Sequence, residues 1–407
     1  MPHRIFVNIH YLEIGGAERA LIGLLNALDK EKYEVDLFVN QHTGEFMQYI
    51  PEGVRLLPEV KEYSCIERPI KNIIIEGEFG IALKRLIAKR KAKIYHESLP
   101  ADIQKIDSSA FQFVFSEIEN LMPDLSYLGE YDLAISFLQP HNFVLNKVRA
   151  KKKICWIHTD YSTIHINREM ELPVWNGYDY IASISKDCTE AFVKTFPELA
   201  PKIIEIENIL SPQMIRAQAD EFNPEDEMPD RDGETRILSI GRYSYPKRFD
   251  EVARMCRIML DAGAKFRWYI IGYGDDKEIR RTIEEYDVAD TMILLGKKVN
   301  PYPYIRRCHI YAQPSRYEGK SVTVREAQIL CKPVAITAYP TAASQVNDGV
   351  DGIILPYKTD AAAKALKHFM SDKEIRENLI SFLRAHDYGN ENEVNKIYQI
   401  LNRWESN

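Results

Sequence analysis

No stretch of this 407-residue chain is apolar for the length a membrane-spanning helix needs. Cations are not in excess either. There are 53 Lys and Arg against 60 Asp and Glu, a formal net charge of −7, which speaks against a dedicated nucleic-acid binder. Cysteine is sparse: Cys65, Cys155, Cys188, Cys256, Cys308 and Cys331 are scattered, mostly in apolar runs, with no C-x-x-C pair or other metal-ligand spacing. They read as buried, reduced thiols in a cytosolic protein. Repeats and low-complexity tracts are lacking. The opening residues MPHRIFVNIHYLEIGG run straight into a strand and a glycine turn, unlike a signal peptide. The one notable D-x-D, Asp230-Arg231-Asp232, falls in a proline-bearing acidic stretch and reads as chance, so no metal is expected.

What is present suits a soluble α/β chain. At 45% hydrophobic and 28% charged residues it can bury a sizeable core. Its length predicts two domains. A strand over Arg4–His10, the turn Gly15-Gly16, a helix from Ala17 to Leu28 and a strand over Tyr33–Val39 open a doubly wound parallel sheet. Further strands are predicted at 132–138, 153–157, 180–184 and 203–207. Residues 209–235, with Pro212, Pro224 and Pro229, read as a linker with room for one short helix. A second series follows, with strands at 237–240, 268–271, 292–295, 310–313, 334–337 and 353–355, separated by helices such as 249–262, 276–286 and 322–331. The expected domains are 1–208, with an insertion over 60–130, and 236–386. Residues 387–407 form a C-terminal helix packing back on the first domain, with Val394, Ile397, Tyr398, Leu401 and Trp404 on one face.

Two constellations carry chemistry. Glu318 and Glu326 are separated by seven residues, with Gly319, Lys320 and Ser321 in a turn before a helix. Free N–H groups at a helix start bind a diphosphate well. A carboxylate just before the turn can reach sugar hydroxyls, and one two turns into the helix can hold a ribose diol. The alternatives are a pair of exposed helix-end carboxylates, or a hydrolytic acid–base pair. In the second constellation, Gly241 ends a strand, and Arg242 and Lys247 follow on a loop. A forked donor and a point charge at a strand's carboxyl end suit a diphosphate and its developing charge. The alternative is a solvated basic loop.

Together, Gly241-Arg242, Lys247, Tyr273-Gly274-Asp275, the E-x7-E run, Lys332-Pro333-Val334 and 348–352 resemble glycosyltransferase family 4. So does the turn Gly15-Gly16-Ala17-Glu18. The resemblance implies a GT-B fold: two Rossmann-like doubly wound domains facing a central cleft, the first on the acceptor side and the second binding the nucleotide-sugar. It implies a retaining, metal-independent hexosyl- or N-acetylhexosaminyl-transferase without a cofactor, using a UDP-sugar ahead of a GDP-sugar. By the same resemblance, Arg242 and Lys247 hold the diphosphate, and backbone N–H groups around Lys320, Ser321 and Val322 complete its cradle. Glu326 binds ribose and Glu318 contacts the donor sugar. Gly16 allows close approach to the phosphate, and the loop near Val299 meets the base. The chain departs from the family at Gln345, at His309 and at Arg248, which stands where a glycine is common after Lys247.

His158 ends the 153–157 strand, at the position where the family often has a histidine near the sugar and phosphate; it can donate a hydrogen bond or shuttle a proton. The alternative is a structural loop histidine, and Asp160 is a weaker candidate. In the insertion, Phe79, Leu83, Leu86, Ile87 and Ile94 share a face, with Lys84, Arg85, Lys89, Arg90, Lys91 and Lys93 around it. This segment, 79–94, suits an anionic membrane surface or an ordinary packed helix. The expected acceptor is a cell-surface polysaccharide or lipid-linked glycan, met in the cytoplasm at the inner membrane face. A sugar-nucleotide epimerase and a non-catalytic sugar-nucleotide-binding subunit are the rival functions.

Overall fold

The computed structural model describes residues 3–318 and 320–402. Its contacts divide the chain into two compact units, Met1–Ile209 with Glu391–Asn407, and Leu210–Asn390. Each is a parallel sheet flanked by helices.

The first sheet has seven strands: β1 (His3–Ile9), β2 (Tyr33–Val39), β3 (Val54–Leu56), β4 (Tyr131–Ser136), β5 (Ala150–Ile157), β6 (Tyr180–Ser183) and β7 (Ile203–Glu205). Their spatial order is β3-β2-β1-β4-β5-β6-β7. The apolar runs explain the parallel arrangement. Ile5, Phe6, Val7 and Ile9 of β1 are all fully buried, as a strand covered on both faces requires. Order reverses between β1 and β4, which pair directly (Ile5 with Leu133, Val7 with Ile135).

The second sheet has six strands: β8 (Thr235–Ile240), β9 (Phe266–Ile271), β10 (Met292–Gly296), β11 (Ile310–Gln313), β12 (Val334–Thr337) and β13 (Ile353–Leu355), in the order β10-β9-β8-β11-β12-β13. Here the switch lies between β8 and β11, paired through Ile310–Ile237 and Tyr311–Leu238. Two apolar clusters sandwich the sheet. One contains Trp268, Phe249 and Phe369; the other contains Tyr311, Tyr302 and Ile305.

One expectation needs correction. Residues 210–235 are not a free linker but part of the second unit. The helix Pro212–Ala219 is capped by the Ser211 hydroxyl, which accepts from Met214 N at 3.4 Å, and Ile215, Ala219 and Met228 sit in the second core. Prolines at a helix start and in turns masked an apolar spacing. The 60–130 insertion is mainly helical, with helices Ile70–Ile75, Phe79–Ser98 and Ala110–Ile118 covering the β1–β4 region through Phe6, Phe38 and Phe143.

At the C-terminus, helix Val394–Asn402 packs within the first unit. Tyr398 stacks on Tyr33 (centroids 4.7 Å, 5° between planes), and its hydroxyl accepts from Asp29 N at 2.7 Å. Val394, Ile397 and Leu401 are buried. Trp404 lies outside the described residues.

Candidate active site

In open α/β sheets, ligands bind beyond the carboxyl ends of the strands where their order reverses. In the second unit that is the end of β8 and β11. The loop after β8 carries Lys247, and the loop after β11 carries Glu318. The structure brings them together: Lys247 Nζ lies 2.7 Å from Glu318 Oε1. Both side chains are mostly buried, at 21% and 11% exposure, so the pair is held more firmly than a surface ion pair.

The pair is fixed from several sides. Arg316 N donates to Pro246 O at 2.7 Å, which ties the two loops through backbone. The Arg316 guanidinium forks onto both Asp250 oxygens (2.9 and 2.6 Å) and lies over the Tyr245 ring at 4.2 Å. Glu318 Oε1 also accepts from Gln313 Nε2 (3.0 Å) and Ser315 Oγ (2.5 Å). The Tyr311 hydroxyl lies 2.6 Å from Gln313 Oε1, which sets the amide so that its NH2 points at the carboxylate. Thr341 Oγ1 donates to Glu318 O at 2.8 Å. Glu318 is therefore an oriented anion with its charge shared among one cation and two neutral donors.

Glycines leave room at the neighbouring strand ends. A Cβ on Gly241 would stand 3.0 Å from the Lys247 stem, and one on Gly272 would stand 2.1 Å from Gly241 O. Position 272 tolerates no side chain while these loops stay closely packed, whereas one at 241 would require the Lys247 stem to shift. Arg242 follows Gly241, is exposed, and its guanidinium has no partner among the described residues.

The helix Val322–Ile329 starts just after Glu318. Ser321 is its N-cap residue but makes no side-chain capping bond, its hydroxyl facing Thr323 Oγ1 at 3.1 Å. The first-turn N–H groups have no intrahelical acceptors, as at every helix start. Ser321 is buried, Val322 half-buried and Lys320 exposed; Gly319 lies outside the described residues. Glu326, just over one turn along the helix, is fully buried, and the Tyr302 hydroxyl donates to it at 2.9 Å. Val299 is half-buried in the loop after β10.

The first unit holds the remaining candidates. His158 follows β5, with its ring 4.5 Å from Phe137. Burial drives its pKa down to about 3, so the imidazole is neutral near pH 7. Its Nε2 is enclosed yet has no hydrogen-bond partner among the described residues. Asp160 is exposed and accepts from Ser162 N and Oγ in a local turn. At the Gly15-Gly16 turn, the steric demand falls on Gly15, where a Cβ would collide with the Glu18 carboxylate at 2.0 Å; at Gly16 a Cβ would meet nothing within 4 Å. Glycine at position 16 is thus not required by the chain's own packing.

The departures from the family pattern have structural uses. Arg248 has φ 59°, the left-handed region, and compensates by donating to Tyr357 O (2.7 Å) and Thr359 Oγ1 (2.8 Å). His309 is held neutral, its pKa lowered to about 4 by burial and by Arg236, and its Nδ1 accepts from Arg236 N at 2.9 Å. Gln345 is buried and accepts from the Tyr339 hydroxyl at 3.1 Å. Asp230 of the D-x-D is engaged by Arg236 and by Arg307.

Sequence reasoning missed Gln313, Ser315, Thr341 and Tyr302. The signal for the first two was a polar pair two residues apart at the end of an apolar strand; Thr341 and Tyr302 are brought in by the fold alone. Two cavities contain none of the predicted residues. One, in the first unit, is lined by Gln139, His141, Glu171 and Trp175. The other, in the second unit, is lined by Arg236, His309 and Lys332 at the amino ends of strands, opposite to where α/β ligands bind.

Comparison with known proteins finds likeness in sequence and in fold. Residues 223–386 match the family described as Glycosyl transferases group 1. The chain is 26% identical over 174 residues to the amylovoran biosynthesis glycosyltransferase AmsD of Erwinia amylovora, covering 42% of this chain and 48% of that protein. It therefore spans about half the length of that relative. It is 24% identical over 379 residues to an N-acetylgalactosamine-N,N'-diacetylbacillosaminyl-diphospho-undecaprenol 4-alpha-N-acetylgalactosaminyltransferase of Campylobacter jejuni, covering 92% of each. Among solved structures, Anabaena Alr3699/HepE in complex with UDP-glucose superposes with a TM-score of 0.65 over 99% of this chain and 100% of that one, at 15% identity. The two parallel sheets and the superposition give this chain the GT-B fold, and its residues 223–386 are similar to the group 1 glycosyltransferases.

Proposed function

We propose that this chain transfers a sugar, with retention at the anomeric carbon, from a UDP-sugar to a cell-surface polysaccharide or lipid-linked glycan. The observation that carries the reading is the Lys247–Glu318 pair at 2.7 Å beside an uncapped helix start. Cations and amide dipoles converge there, where a diphosphate leaving group would gain charge.

In the proposed step, the bond from the anomeric carbon to the diphosphate oxygen breaks, and its electron pair leaves with the UDP. Arg242, Lys247 and the N–H groups near Ser321 stabilise the departing charge without a metal. The acceptor hydroxyl attacks from the same face, and its proton passes to a phosphate oxygen of the leaving group. Glu318 orients the sugar hydroxyls. Glu326, steadied by Tyr302, holds the ribose, and backbone near Val299 meets the base. His158 supplies a neutral hydrogen bond to the sugar or phosphate, and Gly16 admits the phosphate. The uridine donor is supported by the fold shared with a protein solved with UDP-glucose. The acceptor is supported by relatives named for amylovoran biosynthesis and for an undecaprenol-linked substrate. The activity is placed in the cytoplasm, at the inner membrane face.

The experiment is a thermal-shift screen against UDP, GDP, ADP and their sugars, with and without EDTA. A UDP-specific rise in Tm that EDTA leaves intact supports the reading. A shift that EDTA abolishes, or no shift with any nucleotide, overturns the metal-free donor site.

A further inference from the structure

More than half of the large apolar side chains exposed among the described residues fall between 74 and 127. The helix Phe79–Ser98 carries the densest group. Phe79, Leu83, Leu86, Ile87 and Ile94 are exposed by 66%, 60%, 51%, 37% and 59%. Their spacing puts them on one stripe of the helix. The opposite stripe, Ile81, Ala82, Ala88 and Ala92, is the buried one. The exposed stripe is therefore not the helix's core face; the helix has a second apolar face turned to solvent.

Charge decides what that face suits. Arg85 is withdrawn into the protein, where it donates to Cys65 O at 2.8 Å, and Lys84 and Lys91 are bound to Glu117. That leaves Arg90 within the stripe and Lys89 and Lys93 along one flank. Lys89 and Arg90 are exposed with no partner among the described residues, and Lys93 makes only a 3.7 Å contact with Glu97 at the helix end. An apolar stripe bordered by exposed cations is the arrangement of a helix lying in the plane of an anionic membrane surface.

We propose that helix Phe79–Ser98 docks the chain on an anionic bilayer, its apolar stripe entering the headgroup boundary and Lys89, Arg90 and Lys93 meeting lipid phosphates. No helix among the described residues is long and apolar enough to cross a membrane, so the contact is peripheral. The inference does not depend on the donor chemistry proposed above, because its readout is binding and not turnover.

The test is sedimentation of the purified full chain with vesicles of phosphatidylcholine alone and of phosphatidylcholine mixed with phosphatidylglycerol, at low and high salt. The expected result is pelleting with the mixed vesicles only, weakened by salt. Lys89→Gln with Arg90→Gln lowers affinity about thirtyfold, each cation near the surface being worth roughly fivefold. Leu83→Asp with Leu86→Asp abolishes pelleting while the Tm stays unchanged, since both side chains are already exposed. No pelleting of the wild type, or equal pelleting of the leucine variant, overturns the proposal. So does a wild-type dimer that the leucine variant splits and that ignores both vesicles; that result would give the stripe to a second copy of the chain.

Discussion

The two sheets share one architecture but finish their strands in different chemistry. In the second, the loops after β8 and β11 hold ions against ions: Lys247 on Glu318, Arg316 on Asp250. In the first, the loops after β4 and β5 hold neutral rings. His141 and His158 both have pKa values pushed down to about 3, chiefly by burial. His141 Nδ1 pairs with Ser136 Oγ at 2.8 Å, and the Tyr178 hydroxyl donates to the His141 carbonyl. Strand ends lined by glycines leave space for charged side chains to cross between loops; strand ends running into Phe137 and Trp156 strip water from whatever lies beside them. One edge is suited to stabilising a leaving anion. The other offers hydrogen bonds that do not change with pH near neutrality.

The comparison breaks most sharply at Lys247. Lys247→Ala removes the cation from the charged edge and leaves Glu318 with only Gln313 and Ser315. Turnover of a UDP-sugar donor should fall by about 100- to 1000-fold, the scale of losing one preorganised charge-stabilising group. Steady-state UDP release measures it, with Tm as the control for folding. Near-normal turnover would remove the diphosphate assignment.

The neutral edge has a pH signature. Unfolded histidines titrate near 6.5, whereas His141 and His158 titrate near 3 in the folded chain. Below 6.5 the unfolded chain takes up protons that the folded chain refuses. Stability contributed by their neutrality is thus fully present above 6.5 and lost progressively as pH falls toward 3. Each buried histidine should remove roughly 1 kcal/mol per pH unit across that window. His309, lowered to about 4, adds to the same slope, so the check is a comparison of variants. His141→Asn should flatten the fall of Tm between pH 6.5 and 4.5; an unchanged slope would mean the ring is charged in the folded state.

At the buried carboxylate, Tyr302→Phe deletes the hydroxyl that donates to Glu326 at 2.9 Å. If Glu326 holds the ribose, KM for the donor should rise about tenfold with kcat nearly unchanged, since the contact is made equally in ground and transition states. A fall in kcat alone would place Glu326 elsewhere in the cycle.

Sequence legibility followed the same division. Ile310–Gln313, Val334–Thr337 and Ile353–Leu355 coincide with observed strands because each is a short, mainly apolar run between turn residues, and Tyr33–Val39 does so because Glu34 and Asp36 alternate with apolar residues along it. β3 escaped notice because Val54-Arg55-Leu56 is only three residues long, at the sheet edge, and largely exposed. Lys247 and Glu318 stood out because charges at a glycine-bounded strand end are conspicuous. Gln313, Ser315 and Tyr302 did not, because neutral polar groups acquire meaning only from what the fold sets opposite them. Periodicity showed that the 79–94 stripe was apolar, but not that it was the face turned away from the core.

Arg248 separates composition from conformation. The sequence shows an arginine where a glycine is common, and the structure gives the reason a glycine suits: φ is 59°. A residue with a Cβ costs about 1 kcal/mol there relative to glycine. Arg248 offsets this with hydrogen bonds to Tyr357 O and Thr359 Oγ1 and by lying over the Tyr357 ring at 4.8 Å. Arg248→Ala keeps the strain and loses the contacts, whereas Arg248→Gly loses both. Glycine should therefore be the milder substitution, by about 1 kcal/mol in urea denaturation, although alanine is the better residue for most of a folded chain. Alanine equal to or better than glycine would show that the backbone at 248 is not left-handed. The ordering also bears on the charged edge, because Arg248 anchors the loop from which Lys247 reaches Glu318.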